Sequence, residues 1–563
     1  MEAESSFLLM YSIHFVLVVS VFFLITYRYF IRYKKVIYAI LATLGVWFLW
    51  QQITTIIENE TTLRLISHTK LCIAYIVFFF ASVFFFVQHH NSRYRKISFI
   101  LWILIAFQSI LYYLFFNLTG VGFNESIPFH LKSGIKGAGI GDFYRLIIDV
   151  SSAVFLLIGT SIFYQHLQGK TEDNRSVHTP SLGKFTTVIF SFLLLLNPLT
   201  YDIYDTYRTV EENPKFQFKD FYKKPHTDIV KPKQQYNLIW IYAEAFERIY
   251  LNDSVFPKLT PRLTQLEKKS LSFTNIHQVW GTGWTIAGIV ASQCGIPLYA
   301  VGRQQNDLGK LPQFLPKVAG IGNILKQHNY QCIFIQGSPR AFAGNDRYLV
   351  SHGFDLFSFE NIDSRYKTRE NISRWGLNDD KTFEFAKQKY QELQRQNHPF
   401  ALMLSTINTH SPHGFVPPSY KKMKYGNGKN NSLNAFKVSD YLISKFIDDI
   451  KKIDRHNNTM IVVSSDHLTM KNLAYATLEK HSGKRRNLFM VYFPEKIQPR
   501  FHHKSGSTLD EGITVLNLMG YNIQHLGFGT SLLHKQPSLS GKAGNKINEV
   551  LKSWKKYYFQ FWE

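Results

Sequence analysis

The sequence predicts an N-terminal α-helical transmembrane bundle followed by an α/β domain with a mostly parallel central sheet. Two observations support this division. Long runs of Phe, Leu, Ile and Val crowd the first two hundred residues, and such runs are typical of membrane spans. Beyond them, short continuous apolar runs alternate with helical segments, as in sheets covered on both faces. We therefore expect a transmembrane domain (1–203), a linker (204–236) and a globular domain (237–563).

Six stretches reach or approach the roughly 20 apolar residues that a spanning helix needs. They are Phe7–Thr26, Val36–Ile57, Leu71–Val87, Phe99–Phe116, Leu146–Tyr164 and Phe185–Ile203. Basic clusters follow the first and third spans, which predicts an N-terminus outside the cytoplasm. An even number of spans then places the globular domain outside as well. The sixth span is the weakest, because it contains Asn197 and Pro198; without it the globular domain would be cytoplasmic.

The chain is strongly basic, with a formal net charge of +24. No basic run has the spacing of a nucleic-acid reader, so a nucleic-acid partner is disfavoured. The remaining alternatives are an ordinary solvated surface and a surface close to anionic lipid headgroups. The cysteine count of 3 excludes a disulfide framework and a thiolate metal site. Whether Cys294 and Cys332 pair stays open at this stage.

Two segments have alternative interpretations. Asn117–Tyr144, between the fourth and fifth spans, is rich in glycine around Asn124, Glu125 and His130. It is either a flexible connector or a platform that contacts a lipid headgroup beneath the globular domain. The aromatic C-terminal stretch Trp554–Trp562 either touches the membrane interface or packs as an ordinary terminal helix.

The globular domain contains five apolar runs with the composition of buried strands. They are Leu238–Tyr242, Cys332–Ile335, Phe400–Ser405, Met460–Ser464 and Leu488–Phe493. Helical segments are predicted between them. These are Thr260–Lys269, Thr285–Gln293, Gly320–His328, Asp379–Gln394 and Leu433–Lys452. In open α/β sheets ligands bind beyond the carboxyl ends of the strands.

Residues capable of metal chemistry follow three of these strands. Glu244 ends the first, and Asp466 and His467 follow the fourth. The segment after Phe400–Ser405 contains His410 and His413. Carboxylate and imidazole ligands in this mixture suit Zn²⁺ or Mn²⁺.

A glycine-rich loop, Gly281–Gly288, opens one of the predicted helices at Thr285. A hydroxyl at that position lies in the positive field of the helix N-terminus, which favours its alkoxide form. Thr285 by itself would be read as a helix cap. Together with the carboxylates and the histidine it becomes a candidate nucleophile.

The order Glu244, Thr285 in its glycine-rich loop, and Asp466-His467 resembles the alkaline phosphatase and sulfatase superfamily. It is most similar to the membrane-bound branch, which comprises lipoteichoic acid synthases, glucan phosphoglycerol transferases and phosphoethanolamine transferases. Further motifs carry the resemblance, namely Phe256–Pro261, Gly281–Leu298 and Ser465–Met470. The last two look closest to the phosphoglycerol transferase and lipopolysaccharide-core branch. The resemblance spans roughly Asn237–Phe493 and implies an alkaline-phosphatase-like fold.

The resemblance implies roles for individual residues. Glu244, Thr285, Asp466 and His467 would hold one divalent metal, Zn or Mn, with Thr285 as nucleophile. His410 would bind the phosphoryl group or protonate the leaving oxygen. Arg347, Trp284 and His413 are predicted to bind substrate. A second metal site is left open, because no clear histidine follows the Asp-His pair.

These roles predict an inner-membrane enzyme whose catalytic domain lies in the periplasm. We expect it to move phosphoethanolamine from a membrane phospholipid, through a phospho-Thr285 intermediate, to a sugar of lipopolysaccharide. The alternatives are a phosphoglycerol transferase that acts on a periplasmic glucan and a hydrolase of the same fold. The Cys-x-Pro-x-Arg nucleophile motif of sulfatases is absent from the sequence, which counts against a sulfatase. A non-catalytic membrane sensor is disfavoured, since a scaffold would need none of the ligands.

Overall fold

The computed structural model describes residues 92–133, 140–169, 180–225, 229–299, 314–396, 398–454, 456–494 and 496–562. The first three predicted spans lie outside these residues. Contacts divide the chain into two compact units. One consists of Met1–Ser109 and Gly159–Thr200, and the other of Ile110–Ile158 and Tyr201–Glu563. The predicted domain boundaries therefore stay predictions.

Five α-helices lie between residues 92 and 207 among the described residues. They are α1 (Ser92–Thr119), α2 (Ser126–Ser133), α3 (Tyr144–Gly169), α4 (Pro180–Leu196) and α5 (Pro198–Tyr207). The fourth and fifth predicted spans fall inside α1 and α3. Among the residues described, Lys96–Thr119 forms a helix long and apolar enough to cross a membrane.

The sixth predicted span is a bent pair of helices rather than one straight helix. Thr187–Leu196 and Pro198–Tyr207 meet at 54° and pass the length and hydropathy test for a span only together. The bend follows from the sequence, because Pro198 cannot continue the preceding helix but is well suited to open the next one. The Asn197 side chain caps that second helix by accepting the backbone N–H of Leu199 at 3.0 Å.

The globular domain is built on an eight-stranded sheet with the order β11-β2-β10-β9-β1-β8-β4-β5. Its strands are β1 (Asn237–Ala243), β2 (Leu271–Phe273), β4 (Gln331–Gln336), β5 (Asp355–Phe357), β8 (Phe400–Ser405), β9 (Thr459–Ser465), β10 (Phe489–Tyr492) and β11 (Arg500–His502). Two small sheets pair β3 (Ile276–His277) with β12 (Gly506–Ser507) and β6 (Ile372–Ser373) with β7 (Gly376–Leu377). In the large sheet, β10 runs antiparallel to both its neighbours. The predicted mostly parallel sheet is confirmed.

Helices cover both faces of this sheet, as the continuous apolar strands predict. The larger ones are α8 (Thr285–Cys294), α11 (Asp379–Gln394) and α12 (Asn431–Ile453). The shorter ones are α6 (Phe218–Phe221), α7 (Pro261–Glu267), α9 (Ile321–Gln327), α10 (Asn345–Ser351), α13 (Tyr475–Lys480), α14 (Glu511–Leu518), α15 (Leu539–Ala543) and α16 (Ile547–Ser553). Along β1, Trp240 and Tyr242 pack into one core while Ile239 and Ile241 pack into the other. This alternation is the two-residue period of a strand buried on both sides.

Two open questions from the sequence are answered within the described residues. Cys294 and Cys332 are both buried free thiols. The C-terminal aromatic stretch packs into the domain, since Trp554 and Tyr558 are fully buried in the same core as β1. The packed-terminus interpretation is therefore the right one for these side chains.

Candidate metal centre and active site

The carboxyl end of β1 places Glu244 at the centre of the sheet. This strand lies between β9 and β8 and is parallel to both, so the loops after all three strands meet at one edge. The loop after β8 fixes the backbone of Glu244 from two sides. The Thr406 hydroxyl accepts its N–H at 2.9 Å, and the Thr409 hydroxyl donates to its carbonyl at 2.6 Å.

Asp466 and His467 reach the same point from the end of β9. One oxygen of Asp466 accepts the backbone N–H of Ala245 at 2.8 Å, which ties the two strand ends together. The Nδ1 atom of His467 lies 2.8 Å from the carbonyl of Leu468 and must donate to it. The Nε2 atom therefore faces the carboxylates, at 3.5 Å from Glu244 Oε1 and 3.4 Å from Asp466 Oδ2.

The loop after His467 is anchored by a buried ion pair. The guanidinium of Arg485 binds the carboxylate of Glu247, with Nε at 2.8 Å from Oε2, and also donates to the carbonyl of Thr469. The same carboxylate accepts the N–H of Thr469 at 2.9 Å. Removal of either charge would leave the other buried and uncompensated.

Glu244, Asp466 and His467 form a cluster whose ligand atoms all lie within 4.8 Å of one another. All three side chains are buried, and Glu244 Oε1 has no hydrogen-bond partner. Burial, reinforced by the charge of Asp466, raises the pKa of Glu244. Burial alone would lower the pKa of His467, but the two carboxylates outweigh it and raise that pKa to about 10. Two buried carboxylates, an imidazole nitrogen and an unpaired oxygen fit a divalent cation.

Thr285 lies beside this cluster at the first position of α8. Trp284 precedes it in an extended conformation, with φ −151° and ψ 160°, so the chain turns into the helix at the hydroxyl. The Thr285 hydroxyl donates to Glu244 Oε2 at 3.3 Å. The helix also approaches the end of β9 closely. A Cβ at Gly288 would lie 1.8 Å from the carbonyl oxygen of Asp466, so only glycine fits there.

His410 lies in the loop after β8, where its ring stacks on the indole of Trp375. The two ring centroids are 3.7 Å apart and the planes differ by 31°. Its Nδ1 atom lies 2.7 Å from the carbonyl of Ser411, which leaves Nε2 available for substrate. The buried carboxylate of Asp379 accepts the backbone N–H groups of Ile407 and Asn408 at 2.8 and 3.1 Å. Burial raises the pKa of Asp379 to about 7, against the effect of those two hydrogen bonds.

The segment between α1 and α3 contributes a further side of the site. The backbone N–H of Gly281 donates to Glu125 at 3.0 Å. The ring of Phe129 lies 5.3 Å from that of Trp284, and the ring of His130 lies 6.5 Å from it. Burial, followed by the positive charges of His410 and His467, lowers the pKa of His130 to about 4. Its imidazole is therefore neutral near pH 7.

His413 and Arg347, two further predicted residues, lie on different elements of the domain. His413 is half-buried in the loop after β8, where burial lowers its pKa and Asp142 acts in the opposite direction. Arg347 lies in the first turn of α10, between β4 and β5 in the chain, and β4 is two strands from β1 in the sheet. The substrate-binding roles of Arg347, His413 and Trp284 stay predictions, as do the catalytic and metal-binding roles.

Sequence reasoning missed Trp375, Asp379 and Asp142 as parts of this site. Asp379 was visible only as the first residue of a predicted helix. Trp375 lies next to a two-residue strand, β7, that carries no periodic signal. Asp142 and His130 belong to the glycine-rich segment whose role the sequence left open. For the described part of the segment these contacts count against a flexible connector; contact with a lipid headgroup stays a prediction.

Comparison with known proteins places this arrangement in a family. Residues 236–521, half of the chain, match the family model described as Sulfatase. The chain belongs to the sulfatase family. The resemblance read from Glu244, Thr285 and Asp466-His467 is thereby confirmed. Residues 70–213 of this sulfatase-family protein also match the model described as Phosphoglycerol transferase I, N-terminal domain.

The curated relatives share one description. Phosphoglycerol transferase I of Escherichia coli O6:K15:H31 and that of Shigella flexneri are each 35% identical to the sulfatase-family protein over 460 residues. Those residues make up 79% of this chain but 57% of each relative. The chain thus spans little more than half the length of these relatives.

Solved structures show weaker likeness. The lipoteichoic acid synthase LtaP of Listeria monocytogenes is 15% identical, with a TM-score of 0.47 over 64% of this chain and 97% of that one. The periplasmic domain of EptC from Escherichia coli, in complex with Zn, is 17% identical with a TM-score of 0.40 over 55% of this chain and 90% of that one.

Proposed function

We propose that this protein is a metal-dependent transferase that moves phosphoglycerol from a membrane phospholipid to a hydroxyl of a periplasmic glucan. The observation that carries the proposal is the position of the Thr285 hydroxyl, 3.3 Å from Glu244 in a cluster with Asp466 and His467. A hydroxyl at a helix start beside a candidate cation site is the arrangement expected of an activated nucleophile. Phosphoglycerol is preferred because the relatives and the N-terminal family model carry that description.

This preference replaces the main expectation from the sequence, which was phosphoethanolamine transfer to lipopolysaccharide. The comparisons favour the alternative that the sequence analysis named beside it. Glycerol and ethanolamine differ in charge, since only the ethanolamine carries an ammonium group. We regard phosphoethanolamine transfer as the reaction against which the proposal has to be tested.

The proposed reaction has two steps. In the first, the oxygen of Thr285, in its alkoxide form, attacks the phosphorus of the donor, and the bond from phosphorus to the diacylglycerol oxygen breaks. His410, through Nε2, gives a proton to that oxygen, so diacylglycerol leaves and phosphoglycerol remains on Thr285. In the second, an acceptor hydroxyl attacks the phosphorus, His410 takes its proton, and the Thr285 oxygen is released.

Glu244, Asp466 and His467 would hold the cation, which when bound would lower the pKa of the Thr285 hydroxyl and neutralise charge on the phosphoryl group. Zn²⁺ and Mn²⁺ both suit these ligands. A phospholipid donor presents its phosphate at the bilayer surface. The proposed location is therefore the inner membrane, with this domain on the periplasmic side.

The test is the intact mass of the full chain after incubation with Mn²⁺ and either phosphatidylglycerol or phosphatidylethanolamine. We expect a phosphoglycerol adduct with phosphatidylglycerol on the native protein and on Thr285→Ser, but not on Thr285→Ala. Thr285→Ser is the matched control, because it keeps the hydroxyl and loses one methyl group. If only phosphatidylethanolamine gave an adduct, the transferred group would be phosphoethanolamine and not phosphoglycerol. Release of diacylglycerol with water as acceptor and no adduct would favour the hydrolase.

A further inference from the structure

The indole of Trp375 is held on two sides. Its face lies against the ring of His410, with the centroids 3.7 Å apart. Its Nε1 atom donates a hydrogen bond of 2.8 Å to Oδ2 of Asp142. The side chain is buried, with 7% of its surface exposed. The orientation of this ring therefore depends on both partners.

Asp142 does not belong to the strands and helices that carry the metal cluster. It lies in a short 3₁₀ helix, Ile140–Phe143, just before α3. Its other oxygen lies 3.3 Å from the guanidinium of Arg374, which also donates to the carbonyl of Gly141. A Cβ at Gly141 would come within 2.9 Å of that guanidinium. The segment is thus closely packed against Arg374 and Trp375.

Two contacts orient the ring of His410. The hydrogen bond from Nδ1 to the carbonyl of Ser411, 2.7 Å long, fixes one edge of the imidazole. Rotation about that edge is limited by the indole face. If the indole tilts, the Nε2 atom moves relative to Thr285 and the donor phosphate. Displacements of about 1 Å in such groups cost on the order of a hundredfold in rate.

We infer that Asp142 is a positioning residue for His410 and that it acts through the indole of Trp375. The inference rests on the proposed function for the step that it affects, the proton transfer by His410. It adds to that function a role for the segment between α1 and α3, which would fix the orientation of the His410 ring. The orientation itself is independent of which headgroup is transferred.

The first test uses three substitutions in the full chain. Asp142→Ala removes the acceptor, and we expect kcat for diacylglycerol release to fall about tenfold to a hundredfold with KM for the donor nearly unchanged. Asp142→Asn keeps a carbonyl oxygen for the indole N–H and is expected to restore most of the rate. Trp375→Phe keeps a ring but has no N–H to donate. Adding Asp142→Ala to Trp375→Phe should therefore cost little more, as a double-mutant cycle would show.

The second test needs no turnover. Carbethoxylation of His410 by diethyl pyrocarbonate, followed by peptide mass mapping, measures how accessible its ring is. We expect Asp142→Ala to raise the modification rate severalfold and Asp142→Asn to leave it near the native rate. Asp205→Ala is the matched control, because it removes another partly buried carboxylate, which binds Lys552 and Arg208 and does not involve His410.

The two tests separate this inference from the proposed function. If no phospholipid is turned over by the native protein, the proposed function fails, while the modification rates still decide whether Asp142 orients His410. If Asp142→Ala leaves the modification rate of His410 at the native value, the inference is overturned, whatever the lipid assay shows. An equal loss of rate in Asp142→Ala and Asp142→Asn would also overturn it.

Discussion

The pKa of His467 makes a quantitative prediction about metal binding. The two neighbouring carboxylates raise this pKa to about 10 in the metal-free protein. A cation needs the neutral imidazole, so protons compete with the metal and affinity falls as the pH falls. Near pH 7 His467 is therefore mostly protonated, and the loss of that proton reduces the free energy of metal binding. Between pH 6.5 and 8.5 the apparent Kd for Mn²⁺ should therefore fall about a hundredfold.

Isothermal titration calorimetry of the full chain with Mn²⁺ tests this prediction. Repeating the titration in buffers with different ionisation enthalpies counts the protons released, and we expect about one per metal from His467. His467→Asn should lose most of the pH dependence together with affinity. His481→Asn is the control, because His481 lies outside the cluster and contacts the carbonyl of Thr477. A Kd that does not change with pH, or binding without proton release, would refute the reasoning.

Three further substitutions probe the support of the site. Gly288→Ala should lower the free energy of unfolding by about 3 kcal/mol or more, because the new Cβ would overlap the backbone of Asp466. The same overlap should abolish Mn²⁺ binding. Thermal unfolding measures the first effect and calorimetry the second. Gly483→Ala, where nothing lies within 4 Å of the added Cβ, should unfold at the native temperature. Asp379→Asn should lower the free energy of unfolding by about 1 to 3 kcal/mol, because one backbone N–H of the loop before His410 loses its acceptor. A urea unfolding midpoint equal to that of the native protein would contradict this expectation. Arg485→Met should lower the free energy of unfolding by about 3 to 5 kcal/mol, because it leaves the buried carboxylate of Glu247 without its cation. A loss below about 1 kcal/mol in urea unfolding would show that this ion pair does not anchor the loop.

The sequence was sufficient to predict the main strands and helices around the candidate site. The run Phe400–Ser405 and the helix Asp379–Gln394 have the predicted bounds in the structure. Glu244 and Asp466-His467 were found because each follows a buried strand, and parallel strands end at one edge of a sheet. Periodicity and chain direction are local properties, so they can be read from neighbouring residues.

Other features depended on packing that the local pattern does not contain. The antiparallel strand β10 has the same continuous apolar composition as the parallel strands of the sheet. Strand direction is set by the connections and by the sheet as a whole, which composition does not encode.

What the sequence by itself determined is the family, five strands of the large sheet and the polar residues that follow three of them. What only the tertiary structure decided is which distant side chains complete the site. Asp142 and Trp375 are 233 residues apart, yet they share a hydrogen bond. His130 and Trp284 meet in the same way, across separate parts of the chain. Contacts of this kind form only when the whole domain has folded, because each residue's own neighbours specify neither its partner nor its distance.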